Sequence, residues 1–322
     1  MDESTLPPPP PTGEPEHCYR HPNVETGVHC TRCGRAICPE CMIPAPVGHQ
    51  CPECVNEARR EFRRGPGRRI AAANIRRRAS VTTVLLVLIG AVYLLEVVAG
   101  GSGSLMTGPS PLKLIDLGAS LGLARIPPNG DLVGVAAGQY WRLVSAMFLH
   151  AGLLHIAFNA YALWIFGTVV EQELGRPRFL LIYFATGIVA SAVSYAFGSI
   201  TVPGVSTPGV GASGAIFGIF GAFVAYNYRR RHLAISAARL RSAITIVVIN
   251  MVLALSIQGI DWRAHVGGFV AGLFAGFAAE GAGNVSTRRT ILVAGFLGLM
   301  VATIALVAWH TSQIRAEFPA EF

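Results

Sequence analysis

Residues 211–228 read GASGAIFGIFGAFVAYNY. The stretch carries no charge, and at ~1.5 Å of rise per residue a helix of this length approaches the ~30 Å hydrocarbon core of a bilayer. Glycines 214, 218 and 221 fall on a face of that helix, and a serine, Ser213, stands at its start. Small residues at this spacing let helix backbones approach closely. Residues Ala264–Ala279 have the same character: they open on His265 and repeat glycine every four residues at Gly268, Gly272 and Gly276. The two stretches predict closely packed membrane helices that bring Ser213 and His265 within hydrogen-bond range.

Five more apolar segments surround this pair, at about Val81–Ala99, Ser145–Val170, Phe179–Phe197, Ala243–Ile257 and Ile291–Trp309. The chain has 322 residues, 52% hydrophobic and 14% charged, whereas soluble domains carry about 25% charged residues. A segment crossing lipid must satisfy its backbone internally, so all seven are expected to be helices. The fold class is therefore an all-α polytopic membrane protein. The net charge of +8 does not signal nucleic-acid binding, because the arginines gather beside apolar segments.

Arginine placement orients the chain. Arg59, Arg60, Arg63, Arg64, Arg68, Arg69, Arg76, Arg77 and Arg78 precede the first span. Arg176 and Arg178 follow the second, Arg229, Arg230, Arg231, Arg239 and Arg241 the fourth, and Arg288 and Arg289 the sixth. The positive-inside rule then puts the N-terminus in the cytoplasm and the C-terminus outside. The long first outer loop, Gly100–Tyr140, holds short amphipathic pieces such as Leu112–Leu117 and is expected to lie in the outer leaflet.

Polar groups inside spans are costly and mark functional sites. His155 and Asn159 stand four apart on one face of the second span. Ser213 lies 15 residues before Tyr228, His265 lies 15 before Glu280, and His155 lies 16 before Glu171. Each separation is a rise of ~23–24 Å, so all three side chains reach one level below the outer surface. His150 is expected near that surface. At this level Ser213 is a nucleophile that His265 can deprotonate. The Ser213 N–H, His155 and the Asn159 amide can stabilise an oxyanion. No acidic residue is placed to orient His265, which implies a dyad, and hydrolysis requires a wet cavity. Taken alone, a serine near the start of a membrane helix is a packing residue, and a buried histidine could be a proton relay or a heme ligand. Ala215 also stands where the Gly-x-Ser-x-Gly elbow of soluble hydrolases needs glycine. It is the combination that points to chemistry.

That combination resembles the rhomboid family from Val81 to Trp309. Tyr140-Trp141-Arg142 resembles the family's Trp-Arg element, and His150, His155 and Asn159 its second-helix His and Asn residues. Gly167, Glu171 and Gly175 resemble its Gly-x-x-x-Glu-x-x-x-Gly stretch, Gly211-Ala212-Ser213-Gly214 its nucleophile motif, and Ala264-His265 with Gly268 and Gly272 its base motif. The resemblance implies a six-helix core plus one C-terminal transmembrane helix. It also implies a serine endopeptidase, needing no catalytic cofactor, that cuts single-span membrane proteins near the outer face. One family feature varies: the aromatic one turn after the nucleophile, often Tyr, is Phe217, which could still stack on His265. Competing readings are a non-catalytic rhomboid-like binder of membrane clients and a transporter, the latter disfavoured by a lack of acidic residues at mid-span.

The N-terminal region reads Cys18-x2-His21, Cys30-x2-Cys33, Cys38-x2-Cys41 and Cys51-x2-Cys54. Eight ligands in four pairs suit two tetrahedral, structural Zn²⁺ sites in a domain too small to fold alone. The spacing resembles B-box-type zinc fingers, in which pairs one and three share a metal, as do two and four. Spacing alone leaves consecutive pairing open. The expected organisation is a Pro-rich tail (1–16), the zinc-binding domain (17–55), a basic juxtamembrane linker (56–80), the membrane domain (81–310) and a short external tail (311–322). The expected setting is a bacterial plasma membrane, with a cytoplasmic partner for the zinc domain and no nucleic acid.

Overall fold

A computed structural model of the chain describes residues 16–64, 80–101, 103–126, 129–198, 208–257, 259–281 and 284–319. The Pro-rich tail, much of the basic linker, most of the arginine-free loop after Phe197 and the last three residues lie outside the described residues. The chain divides into two compact units, Met1–Asn74 and Ile75–Phe322.

The first unit is built on two short antiparallel ribbons. β1 (His17–Cys18) pairs with β2 (His21–Glu25), and β3 (Ile43–Pro44) pairs with β4 (His49–Gln50). A helix, α1 (Pro52–Arg64), follows. Six of the seven cysteines and Ile37 form its buried cluster. So small an apolar core cannot hold a domain of this size, which is why such folds depend on metals or cross-links.

The second unit is a helical, polytopic membrane fold. Its long helices are α2 (Ser80–Gly100), α3 (Leu153–Leu174), α4 (Arg176–Phe197), α5 (Ser213–Arg229), α6 (Ala234–Ser256), α7 (Trp262–Glu280) and α8 (Val285–Glu317). Five of them, α2, α3, α4, α6 and α8, are long and apolar enough to cross a membrane. The other two are shorter and glycine-rich because they occupy the centre: α5 is buried almost continuously from Gly214 to Ala225. Its neighbours fix its composition. A Cβ at Gly276 would lie 2.7 Å from the Ala222 backbone, and one at Gly214 would lie 2.5 Å from the Ala190 methyl of α4. Gaps this narrow admit glycine and exclude even a methyl group.

Glutamates tie the helix ends together. Glu171 of α3 accepts from the N–H groups of Val81 and Thr82 at 3.1 and 2.8 Å and from the Thr82 hydroxyl at 2.7 Å. It therefore caps the start of α2, where a carboxylate also suits the helix dipole. Glu280 at the end of α7 pairs with Arg230 and, at 3.9 Å, with Arg229.

The outer loop folds as a packed lobe of short helices at Ser104–Thr107, Pro111–Asp116 and Arg142–Ser145, the second of them over the expected short piece Leu112–Leu117. It also contains a ribbon of β5 (Ala124–Ile126) and β6 (Asp131–Val133). Arg142 is the reason: its buried guanidinium donates to the carbonyls of Ile115 and Ala119 at 2.7 and 2.9 Å and to Gln139 Oε1 at 2.6 Å. These bonds satisfy backbone acceptors that a flat interfacial segment would leave to water. Around them, Leu114, Ala119 and Leu149 form one small core, and Ile115, Leu121 and Ala124 another.

Candidate functional site

Ser213 is the first residue of α5, and the chain reaches it through a turn that only glycine tolerates. Gly211 has φ +122°, and its N–H donates to Ala146 O at 2.8 Å. A Cβ there would lie 2.7 Å from His155 Nε2 and 3.5 Å from Asn159 Nδ2. Both α3 side chains thus converge on the turn two residues before Ser213. The N-terminus of α5 adds free backbone N–H groups and the positive end of its dipole.

The protonation of His155 follows from its partner. Its Nδ1 accepts from the Ala151 N–H at 3.3 Å, so in the neutral ring the proton resides on Nε2, the atom nearest Gly211. Asn159 Nδ2 is buried with no protein partner among the described residues. Two N–H donors are therefore available at one place.

His265 is buried on the first turns of α7. The backbone of this helix touches that of α5: a Cβ at Gly268 would overlap Gly214 O, and one at Gly272 would lie 2.6 Å from the Gly218 Cα. Phe217, one turn beyond Ser213, stacks on the His265 ring with centroids 4.2 Å apart and planes 11° apart. Asp261, one turn before His265, is committed elsewhere. Its carboxylate caps α7 by accepting from the N–H groups of Arg263 and Ala264 at 3.1 and 3.2 Å, and it also accepts from the Ser194 hydroxyl. His265 Nδ1 has no protein partner among the described residues. Unpaired buried polar atoms are uncommon and concentrate where function needs them. Three of the six in the described residues, on His150, Asn159 and His265, belong to this one site.

His150 stands just before the first turn of α3 and is wholly enclosed by protein, at 0% exposure. Its N–H donates to Glu96, its Nδ1 to Phe148 O at 3.1 Å, and its ring stands edge-on to His155 at 5.0 Å. Glu96 itself was overlooked. It is a carboxylate inside an otherwise apolar span, and that oddity alone could have flagged it.

In the first unit, the eight predicted metal ligands gather into two sets: Cys18, His21, Cys38 and Cys41, and Cys30, Cys33, Cys51 and Cys54. Within each set the donor atoms lie within 4.8 Å of one another. The structure therefore pairs the first motif with the third and the second with the fourth. Burial raises the Cys18 thiol, but N–H donation from Arg20, Cys38 and His21 outweighs it and brings it down to about 6. Burial and the neighbouring Cys18 and Cys38 push Cys41 up to about 11. In the second set Cys30 falls to about 6, while burial and its three neighbours push Cys54 up to about 12. Three S donors with one N donor in the first set, and four S donors in the second, are donor sets that suit a closed metal site. His17, His29 and His49 take no place in either set.

A family model described as "Rhomboid domain" matches residues 137–280, which include every membrane-site residue named above except Glu96 and leave the cysteine motifs outside. The chain is 41% identical over 146 residues to "Rhomboid protease GluP" of Bacillus subtilis (strain 168), covering 45% of this chain and 27% of that protein. It is 34% identical over 158 residues to "Putative rhomboid protease YdcA" of the same organism, covering 49% of this chain and 76% of that protein. "RHOMBOID-like protein 5" of Arabidopsis thaliana is 36% identical over 146 residues, with 44% of this chain and 45% of that protein covered. The chain thus spans most of one of these relatives and less than half of the other two.

Proposed function

This chain belongs to the rhomboid family, and we propose that it is an intramembrane serine endopeptidase working through a Ser213–His265 dyad. What supports the proposal is that the turn into Ser213 packs at Gly211 on His155 and Asn159 of α3, while Phe217, one turn beyond Ser213, stacks on His265 of the backbone-contacting α7.

The steps follow from these positions. His265 takes the proton as Ser213 Oγ attacks a substrate carbonyl. The negative charge that develops on the carbonyl oxygen is met by the Ser213 N–H, His155 Nε2–H and Asn159 Nδ2–H, with the α5 dipole behind them. His265 returns the proton to the leaving amine, and water admitted from the outer side then releases the acyl group by the same route. Phe217 holds the imidazole plane by stacking, in the place where Asp261 would otherwise be needed. The substrates are single-span membrane proteins, entered from the bilayer near its outer face. With the arginine-rich loops inside, the N-terminus is cytoplasmic, and the setting is a bacterial plasma membrane. The first unit is a B-box-like domain holding two structural Zn²⁺ ions through its eight ligands, and it serves to dock a cytoplasmic partner.

The test is cleavage of a single-span peptide, with small residues near its outer end, by the full chain in proteoliposomes. Wild type is expected to cut it and Ser213→Ala not to. Intact peptide with both proteins, together with saturable binding, would replace the protease with a client-binding protein.

A further inference from the structure

Glu96 is 1% exposed in α2, within an apolar span where a carboxylate needs a reason to be. Both of its oxygens accept from one backbone group, the His150 N–H, at 3.1 and 3.0 Å. The next peptide N–H, that of Ala151, donates to His155 Nδ1 at 3.3 Å. Consecutive N–H groups of one short turn thus link a buried carboxyl group on α2 to the ring nitrogen that decides the His155 tautomer. The turn has little freedom of its own. Gly152 has φ +111°, and a Cβ there would lie 2.6 Å from Met106 O. The His150 ring then backs the His155 ring at 5.0 Å.

We propose that Glu96 is a positioning residue for the oxyanion site, acting on His155 through the His150 and Ala151 N–H groups. It touches neither substrate nor Ser213. Its oxygens, as acceptors of the His150 N–H, hold the turn that enters α3, so that the Ala151 N–H stays aimed at His155 Nδ1 and the ring proton stays on Nε2, facing Gly211. The inference rests on the reading of His155 as an oxyanion donor.

The experiment is a double-mutant cycle on the full chain in proteoliposomes, with kcat and KM measured on a fluorogenic transmembrane peptide. Glu96→Ala is expected to lower kcat by ~10- to 100-fold with KM nearly unchanged, the size of loss that a misplaced group of this kind causes. Glu96→Gln keeps one acceptor oxygen and is expected to recover most of that loss. Glu96→Ala placed in a His155→Ala background should cost no more than His155→Ala alone, because both changes remove the same function. Additive losses, or a Glu96→Gln as slow as Glu96→Ala, would overturn the positioning role and leave the protease reading intact. A His155→Ala protein with wild-type kcat would instead overturn the oxyanion reading itself. Should Glu96→Ala fail to fold, Glu96→Gln and Glu96→Asp carry the same cycle.

Discussion

Gly272→Ala tests whether the α5–α7 contact sets the catalytic geometry. The substituted atom would overlap Gly218 O and lie 2.6 Å from both Cα and C of Gly218. Carbon atoms come no closer than about 3.4 Å without strain, so clearing the carbons alone requires the helices to separate by ~0.8 Å or bend, and clearing the oxygen requires roughly 1 Å or more. Gly272 lies seven residues beyond His265, a rise of ~10 Å, so the change touches neither catalytic group. Overpacking costs about 1–3 kcal/mol, of which removing a helical glycine returns about 1 kcal/mol, leaving a net loss of about 0–2 kcal/mol. The chemical effect should be larger, since a displacement near 1 Å costs ~10²-fold in rate. Serine-probe labelling rates and thermal unfolding, both in detergent, report the two effects. Gly298→Ala on α8 is the control, because nothing lies within 4 Å of its Cβ position. If Gly272→Ala labels as fast as wild type with unchanged stability, the helix contact does not set the Ser213–His265 geometry.

Metal analysis of the full chain should find two zinc ions, and Cys18→Ser with Cys38→Ser should lose no more than one between them, since both belong to one set. Loss of two ions from that double variant would mean that the ligands pair differently or that the sites fold as one. Topology reporters fused after Glu280 and at the C-terminus should report opposite sides of the membrane, with the Glu280 fusion cytoplasmic. The same side for both would remove α8 as a span.

Much of this was legible because the membrane simplifies sequence. A span must be helical, so Val81–Ala99 and Phe179–Phe197 could be placed within a few residues of α2 and α4. The regular glycines of 211–228 and 264–279 signalled close packing, and the structure makes those two helices the centre of the unit. The start of α3 was misjudged. Ser145–Leu153 is as apolar as a span, yet Gly152 breaks it with a positive φ, and Ser145 belongs to a separate short helix of the outer lobe. That lobe was missed because its stability rests on long-range bonds from one buried arginine, Arg142, which no local pattern reveals. The His150–Glu96 contact was missed for the same reason: its partners are 54 residues apart. The cysteine pairs were countable in sequence and their spacing left consecutive pairing open; the coordinates group the first pair with the third and the second with the fourth, as the B-box resemblance implied.

The central claim is that Ser213 is an activated nucleophile, and covalent labelling by a fluorophosphonate tests it most directly. A free serine hydroxyl barely reacts, whereas one paired with a neutral imidazole beside preformed oxyanion donors does. Wild-type protein in detergent is predicted to take up one probe per chain at Ser213, to lose all labelling in Ser213→Ala and nearly all in His265→Ala, and to slow by ~10²–10³-fold in Asn159→Ala. Folded wild-type protein that takes no label, while GluP of Bacillus subtilis is labelled under the same conditions, would contradict the claim.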